Sequence, residues 1–141
     1  MAALARRRKS ALTLSYVDLD DFKAVNDAHG HVQGDRILRV VGPVLQGSVR
    51  ATDTAARLGG DEFALVFPDT ASSGAQQVIS KLASELQEAL DSDGWRVTCS
   101  IGVVTFLDSE RSAEDAVATA DKLMYQVKQK GKGAVAFRVM G

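Results

Sequence analysis

Four acidic side chains sit where a reactive centre is easiest to build. Asp18 and Asp20 stand where a short apolar stretch ends, and Asp61 and Glu62 follow Gly59-Gly60 directly. Carboxylates brought together repel, and each raises its neighbour's pKa. A divalent cation removes that penalty. Mg2+ prefers hard oxygen ligands and commonly takes one or two carboxylates plus the oxygens of a substrate phosphate. Two such ions can activate an attacking hydroxyl and neutralise a triphosphate leaving group. The same residues would also serve as solvated acids at strand ends and helix starts. Spacing alone leaves both readings open.

The elements that must position these acids can be read from periodicity. Leu12, Leu14 and Tyr16 alternate with Thr13 and Ser15, which predicts a strand over 11–17 that stops at Asp18. A short helix follows, ending near His29. Gly30 and Gly34 punctuate the join to a second helix over about 35–49, with Leu38, Val41, Leu45 and Val49 at helical spacing. Pro43 inside it predicts a kink or break. Residues 55–58 and 62–67 are short strands around Gly59-Gly60, a hairpin signal because primed turns need positive φ. Ser73 and Gln76 have capping-box spacing before a helix carrying Ala75, Val78, Ile79, Leu82, Ala83, Leu86 and Leu90. Residues 97–104 alternate again as a strand. Ser112-x-x-Asp115 caps a helix bearing Ala116, Val117, Ala120, Leu123, Met124 and Val127, which Gly131 and Gly133 end. Residues 134–138 can form a last edge strand. The order β-α-α-β-β-α-β-α-β predicts an α/β (α+β) fold: one mixed, largely antiparallel five-stranded sheet covered by helices.

At 141 residues, with 45% hydrophobic and 25% charged side chains, the chain suits a single globular domain over 1–141. A wholly disordered or collagen-like chain is excluded. The net charge of −1 gives no global field for nucleic acid or an anionic membrane, and neither is expected as a partner. No apolar run approaches the roughly 18 residues of a membrane-spanning helix. The basic start at Arg6–Lys9 is not read as a signal peptide, because the run after it is short, partly polar and ends at Asp18. The single cysteine, Cys99, has no partner for an internal disulfide, so a reducing, cytoplasmic setting is expected. Local charge is uneven: residues 18–35 sum to −4 and residues 122–138 to +5. A metal–phosphate substrate would need such a pair of segments, and two solvated faces would look the same.

The motifs narrow the choice. Arg57-Leu58-Gly59-Gly60-Asp61-Glu62-Phe63 resembles the signature of the GGDEF family, the diguanylate cyclases. Asp18-Leu19-Asp20-Asp21-Phe22-Lys23-Ala24-Val25-Asn26-Asp27 resembles the family's D-x-D-x-F-K-x-x-N-D segment, and Gly30-His31-Val32-Gln33-Gly34-Asp35 its G-H-x-x-G-D. Ser100-Ile101-Gly102-Val103 resembles its S-I-G-V strand. Asp121-Lys122-x-x-Tyr125-x-x-Lys128-x-x-Gly131-Lys132 resembles its last helix and turn. Five motifs run in order from about residue 11 to 138.

The resemblance implies the nucleotidyl cyclase/polymerase palm fold and a bacterial signalling activity. Two GTP molecules, one on each subunit of a homodimer, would be condensed into cyclic di-GMP with release of two pyrophosphates. Asp18, Asp61 and Glu62 would be the catalytic acids. The metal, Mg2+ or Mn2+, would be held by Asp18 and Asp61, with Glu62 supporting and the Leu19 carbonyl adding a ligand. Asn26 and Asp35 would read guanine, whose N1–H and exocyclic amine suit a carboxylate. Gly59, Gly60, Lys128 and Lys132 would complete the GTP site. The family usually has arginine where Lys132 stands, so the planar fork is lost while the charge stays. Arg50-Ala51-Thr52-Asp53 matches the family's R-x-x-D, the inhibitory product site. A salt bridge at a helix end would give the same spacing. Lys23 and Lys81 are weaker phosphate or product contacts.

The chain also departs from the family pattern. The usual opening helix, D-x-L-T-G-L-x-N-R, is missing, and residues 1–10 are expected to be its remnant, with a sensor domain upstream. An alternative is therefore a weak or inactive domain that binds GTP or cyclic di-GMP as a regulatory module. His29 and His31 read as loop residues, Cys99 as a buried thiol, and Trp95 as a ring without a stacking partner.

Overall fold

A computed structural model describes residues 11–107 and 112–140. The expected remnant of an opening helix, residues 1–10, lies outside the described residues. The elements are β1 (Leu12–Leu19), α1 (Phe22–His29), α2 (His31–Gly47), β2 (Thr54–Arg57), β3 (Glu62–Phe67), α3 (Ser72–Ser92), β4 (Cys99–Phe106), α4 (Ala113–Gln129) and β5 (Val135–Met140). They form one five-stranded sheet in the order β2-β3-β1-β4-β5. Three ladders are antiparallel, and β4 with β5 is parallel. The predicted order and the mixed sheet are both present.

Strand β1 is central and covered on both faces. Val17 and Leu19 point into a core built with Ile37, Val41 and Leu45 of α2 and Ile79, Leu82, Leu86 and Leu90 of α3. Leu14 and Tyr16 point the other way, against Ala116, Ala120, Leu123 and Met124 of α4. That is the two-residue period of a strand delivered to two helix layers. The polar residues between them are buried as well. Thr13 Oγ1 donates to the Thr70 carbonyl at 2.8 Å and lies 2.8 Å from Thr105 Oγ1.

Several local expectations are corrected. Helix α2 begins at His31 and not at Asp35, and it runs unbroken through Pro43 to Gly47. His29 and His31 are helical, not loop, residues. Ser73 is inside α3, whose N-cap is Ala71 with no side-chain cap bond, so the capping box is not formed. Gly59 and Gly60 are not among the glycines with positive φ, so the β2–β3 hairpin closes without a primed turn. Instead Arg57 Nε and Nη2 donate to the Gly59 and Gly60 carbonyls at 2.9 and 3.0 Å. By contrast Ser112 caps α4 as expected, its side chain accepting from Asp115 N.

Gly102 has a reason that only the fold reveals. A Cβ there would lie 2.6 Å from Met124 N and 2.8 Å from the Ala120 carbonyl oxygen. Helix α4 therefore crosses β4 in near-contact with its backbone.

Candidate active site

The acidic residues converge at one end of the sheet. Asp18 is the next-to-last residue of β1, one beyond the strand end expected from the sequence, and lies opposite Glu62 of β3 and Ser100 of β4. Leu19 N donates to the Asp61 carbonyl at 3.1 Å, which fastens the turn after β2 to the end of β1. Asp18 is 7% exposed. Burial pushes its carboxyl up to about 7, with the Asp61 carboxylate adding to the rise and Lys128 opposing it. Lys128 Nζ sits 3.0 Å from Asp18 Oδ2, while Asp18 Oδ1 is buried with no hydrogen-bond partner.

The second aspartate of the D-x-D segment does something different. Asp20 is 2% exposed and accepts from Thr98 Oγ1, Ser100 Oγ and Gly133 N at 2.6, 2.7 and 2.9 Å. Lys128 Nζ adds a contact at 3.5 Å. Its lone pairs are spent on tying β1, β4 and the turn after α4 together. Asp21 follows in the left-handed region, φ 58°, and its Oδ1 is 2.7 Å from Lys132 Nζ. Lys132 is left-handed too, φ 62°. Both basic residues thus lean on β1-end aspartates.

Tyr16 was not singled out by its type or spacing. Its hydroxyl is raised above its ordinary value by burial and by Glu62, Asp121 and Asp18, and it is hydrogen-bonded to Glu62. It therefore keeps its proton and donates to that carboxylate. Cys99 is pushed up to about 12 by burial, with Asp20 and Asp18 adding, so the thiol stays protonated and is no nucleophile.

Asn26 and Asp35 lie on α1 and α2, either side of the corner at Gly30, where φ is 88°. Asn26 packs directly over Gly34: a Cβ there would collide with Asn26 Oδ1 and lie 2.9 Å from its Cγ. Asn26 Oδ1 is buried without a hydrogen-bond partner, and Asp35, next to Gly34, is exposed. Gly59 and Gly60 present an open backbone. A Cβ at Gly60 would meet nothing within 4 Å, and one at Gly59 only Glu62 Oε1 at 3.4 Å.

Arg50 and Asp53 form a tight turn at the other end of β2. Arg50 N donates to Asp53 Oδ2 at 2.8 Å, and Arg50 Nε lies 3.5 Å from the same oxygen. Asp53 Oδ1 is buried without a partner, and the Arg50 guanidinium is exposed. This pair is separated from Asp61 by the length of the β2–β3 hairpin. Lys23 and Lys81 are exposed on α1 and α3.

Among the described residues no group of three or more His, Cys, Asp or Glu side chains forms a metal cage. The donor set fits a cation of another kind. Asp18 and Asp61, with one orphaned buried oxygen, suit a hard ion that completes its shell with substrate oxygens.

The sequence matches the profile described as diguanylate cyclase, GGDEF domain, over residues 1–134. It is 37% identical over 131 residues to Diguanylate cyclase A of Treponema denticola, spanning 91% of this chain and 35% of that protein. It is 34% identical over 130 residues to Diguanylate cyclase DgcS of Shewanella oneidensis, spanning 92% of this chain and 43% of that one. The chain therefore spans less than half the length of these relatives. The crystal structure of the GGDEF domain of DgcB from Caulobacter crescentus, in complex with c-di-GMP, superposes with a TM-score of 0.79 at 26% identity, covering 96% of this chain and 82% of that one. With sequence and fold agreeing over nearly the whole chain, it belongs to the GGDEF domain family of diguanylate cyclases.

Proposed function

We propose that this domain condenses two GTP molecules into cyclic di-GMP across a homodimer, with Mg2+ as the cofactor. The observation that carries the reading is the buried Asp18 carboxylate, with one free oxygen, beside Asp61 at the foot of an open glycine turn. A buried acid and a half-buried one side by side repel, and a hard cation is the natural counter-charge. Asp18 and Asp61 would hold it, with Glu62, steadied by Tyr16, and the Leu19 carbonyl in support. When bound, Mg2+ would help deprotonate the attacking hydroxyl and offset charge on the phosphates.

This chain's own residues bind and orient. Gly59 and Gly60 let phosphate approach the backbone without a side chain in the way. Lys128 and Lys132 exchange their aspartate partners for phosphate oxygens. Asp35 accepts from guanine N1–H and the exocyclic amine, and the Asn26 carboxamide reads the same base. The 3′-hydroxyl of one GTP attacks the α-phosphorus of the other. A P–O bond forms, the bond to the β,γ-pyrophosphate breaks, and a second identical step closes the ring, giving one cyclic di-GMP and two pyrophosphates. Each subunit contributes one nucleotide, so a lone domain holds half a site.

Arg50 and Asp53 are the proposed inhibitory product site: a guanidinium can fork to phosphate or guanine, and Asp53 keeps an unused buried oxygen. A sensor domain on the same protein and a cytoplasmic setting remain part of the proposal. Among the described residues no helix is long and apolar enough to cross a membrane. The second reading is a GTP or cyclic di-GMP binding module. It is favoured by the contact of Lys128 with Asp18, which already balances the acid.

The test is GTP turnover with Mg2+ over a range of protein concentrations, with product identified by mass. Cyclic di-GMP rising more steeply than protein supports a dimeric cyclase, and Asp61→Asn should abolish it while leaving the melting curve intact. Full activity in Asp61→Asn refutes the metal assignment. No product, with a melting shift on adding nucleotide, supports the binding module.

A further inference from the structure

We propose that Asp93 and Trp95, with Arg36 and His29, form a brace that positions the guanine-reading corner between α1 and α2. The inference rests on the base-reading role proposed above for Asn26 and Asp35. Helix α1 has eight residues, buries only Phe22 and turns into α2 through the left-handed Gly30. A corner of that kind needs fastening from outside. The fastening is the turn after α3. Arg36 Nε and Nη2 donate to Asp93 Oδ2 and Oδ1, both at 3.0 Å, a two-pronged contact that fixes orientation as well as distance. Trp95 Nε1 donates to Asp93 Oδ2 at 2.8 Å, and the indole meets the His29 ring edge to face, at 77° with centroids 5.8 Å apart.

Each braced residue is one step from a base reader. Arg36 follows Asp35, and His29 lies one helical turn beyond Asn26. The same segment then runs into Thr98 and Ser100, which hold Asp20. Residues 93–100 therefore join the base corner to the carboxylate end and set the span between them. The Arg36 side chain is 61% exposed, and exposed ion pairs add little to stability. The geometry points to orientation as the gain.

The experiment compares Arg36→Lys, Asp93→Asn and their double variant with the wild type, in Mg2+. GTP and ATP affinities are read by calorimetry, KM and kcat by turnover, and folding by melting. Trp95→Phe, which keeps a ring against His29 but loses the N–H, is the milder fourth variant. The expected result is a GTP Kd and KM raised about fivefold, kcat within about twofold and a narrowed GTP preference over ATP. The double variant should be no worse than the worse single, as one shared contact requires. Wild-type Kd and KM in every variant, whatever the melting temperature, overturn the brace. Wild-type protein that binds no GTP overturns the base-reading proposal and the brace with it.

Discussion

Replacing Gly102 by alanine tests how closely helix α4 is fitted to the sheet. The new methyl would lie 2.6 Å from Met124 N, 2.8 Å from the Ala120 carbonyl oxygen and 3.1 Å from Met124 Cα. All three are backbone atoms, so no side chain can swing aside. Carbon contacts relax at about 3.5 Å, so α4 must retreat by nearly 1 Å along this crossing. Overpacking of that kind typically costs about 1–3 kcal/mol. For a domain of this size each kcal/mol lowers the melting temperature by about 3–5 °C. Gly102→Ala should therefore melt about 3–15 °C lower, with an unchanged denaturant m-value. Gly47→Ala, at an open position with nothing within 4 Å, is the control and should stay within about 0.5 kcal/mol of wild type. The retreat also carries Lys128 away from Asp18, so GTP affinity should fall in parallel. A Gly102→Ala protein that melts within about 1 °C of wild type would refute the close-crossing argument.

The other perturbations address the two ligand sites and the brace. Gly34→Ala gains helix propensity but drives its methyl into the Asn26 carboxamide, so stability should change by less than about 1 kcal/mol while GTP KM rises; an unchanged KM would separate Asn26 from base recognition. Arg50→Ala should relieve inhibition by added cyclic di-GMP and leave initial rates unchanged, because the turn keeps its backbone bond from Arg50 N to Asp53; persistent inhibition would move the product site elsewhere. The only tryptophan reports on Asp93. Arg36 holds the Asp93 carboxylate below its ordinary value, so their contribution to stability is present above the unfolded carboxylate pKa. It is lost as pH falls through the lowered folded value. Trp95 emission should step below the usual carboxylate range, and Arg36→Ala should move the step upward; no movement would mean that the pair is not formed in solution.

The gathering of the acids at one end of the sheet was more legible than the packing. A strand end and a glycine turn in one sheet could bring Asp18, Asp20, Asp61 and Glu62 together, and the resemblance to the GGDEF family singled out Asp18, Asp61 and Glu62 among them. The helix start at His31 was hidden because Gly30 and Gly34 read as punctuation, whereas Gly34 is helical and exists to admit Asn26. Asp20 looked like a twin of Asp18. Only the fold shows three donors, from Thr98 just before β4, Ser100 in β4 and Gly133 in the last turn, closing on it. Trp95 had no partner in sequence because its partner, His29, is 66 residues away and arrives through a corner of two helices. Local spacing shows what an element is made of, and long-range donors decide which acid stays free.

The two left-handed residues at the site mouth, Asp21 and Lys132, carry a consequence for any attempt to harden this domain against heat. Glycine or asparagine would sit more comfortably at both φ values, so a search for thermostable variants should be drawn to these positions. Each such gain would delete one half of the only ion pair joining the start of α1 to the turn after α4 among the described residues, and with Lys132 a proposed phosphate contact. Heat tolerance and the proposed nucleotide contact would then pull in opposite directions at the same two residues.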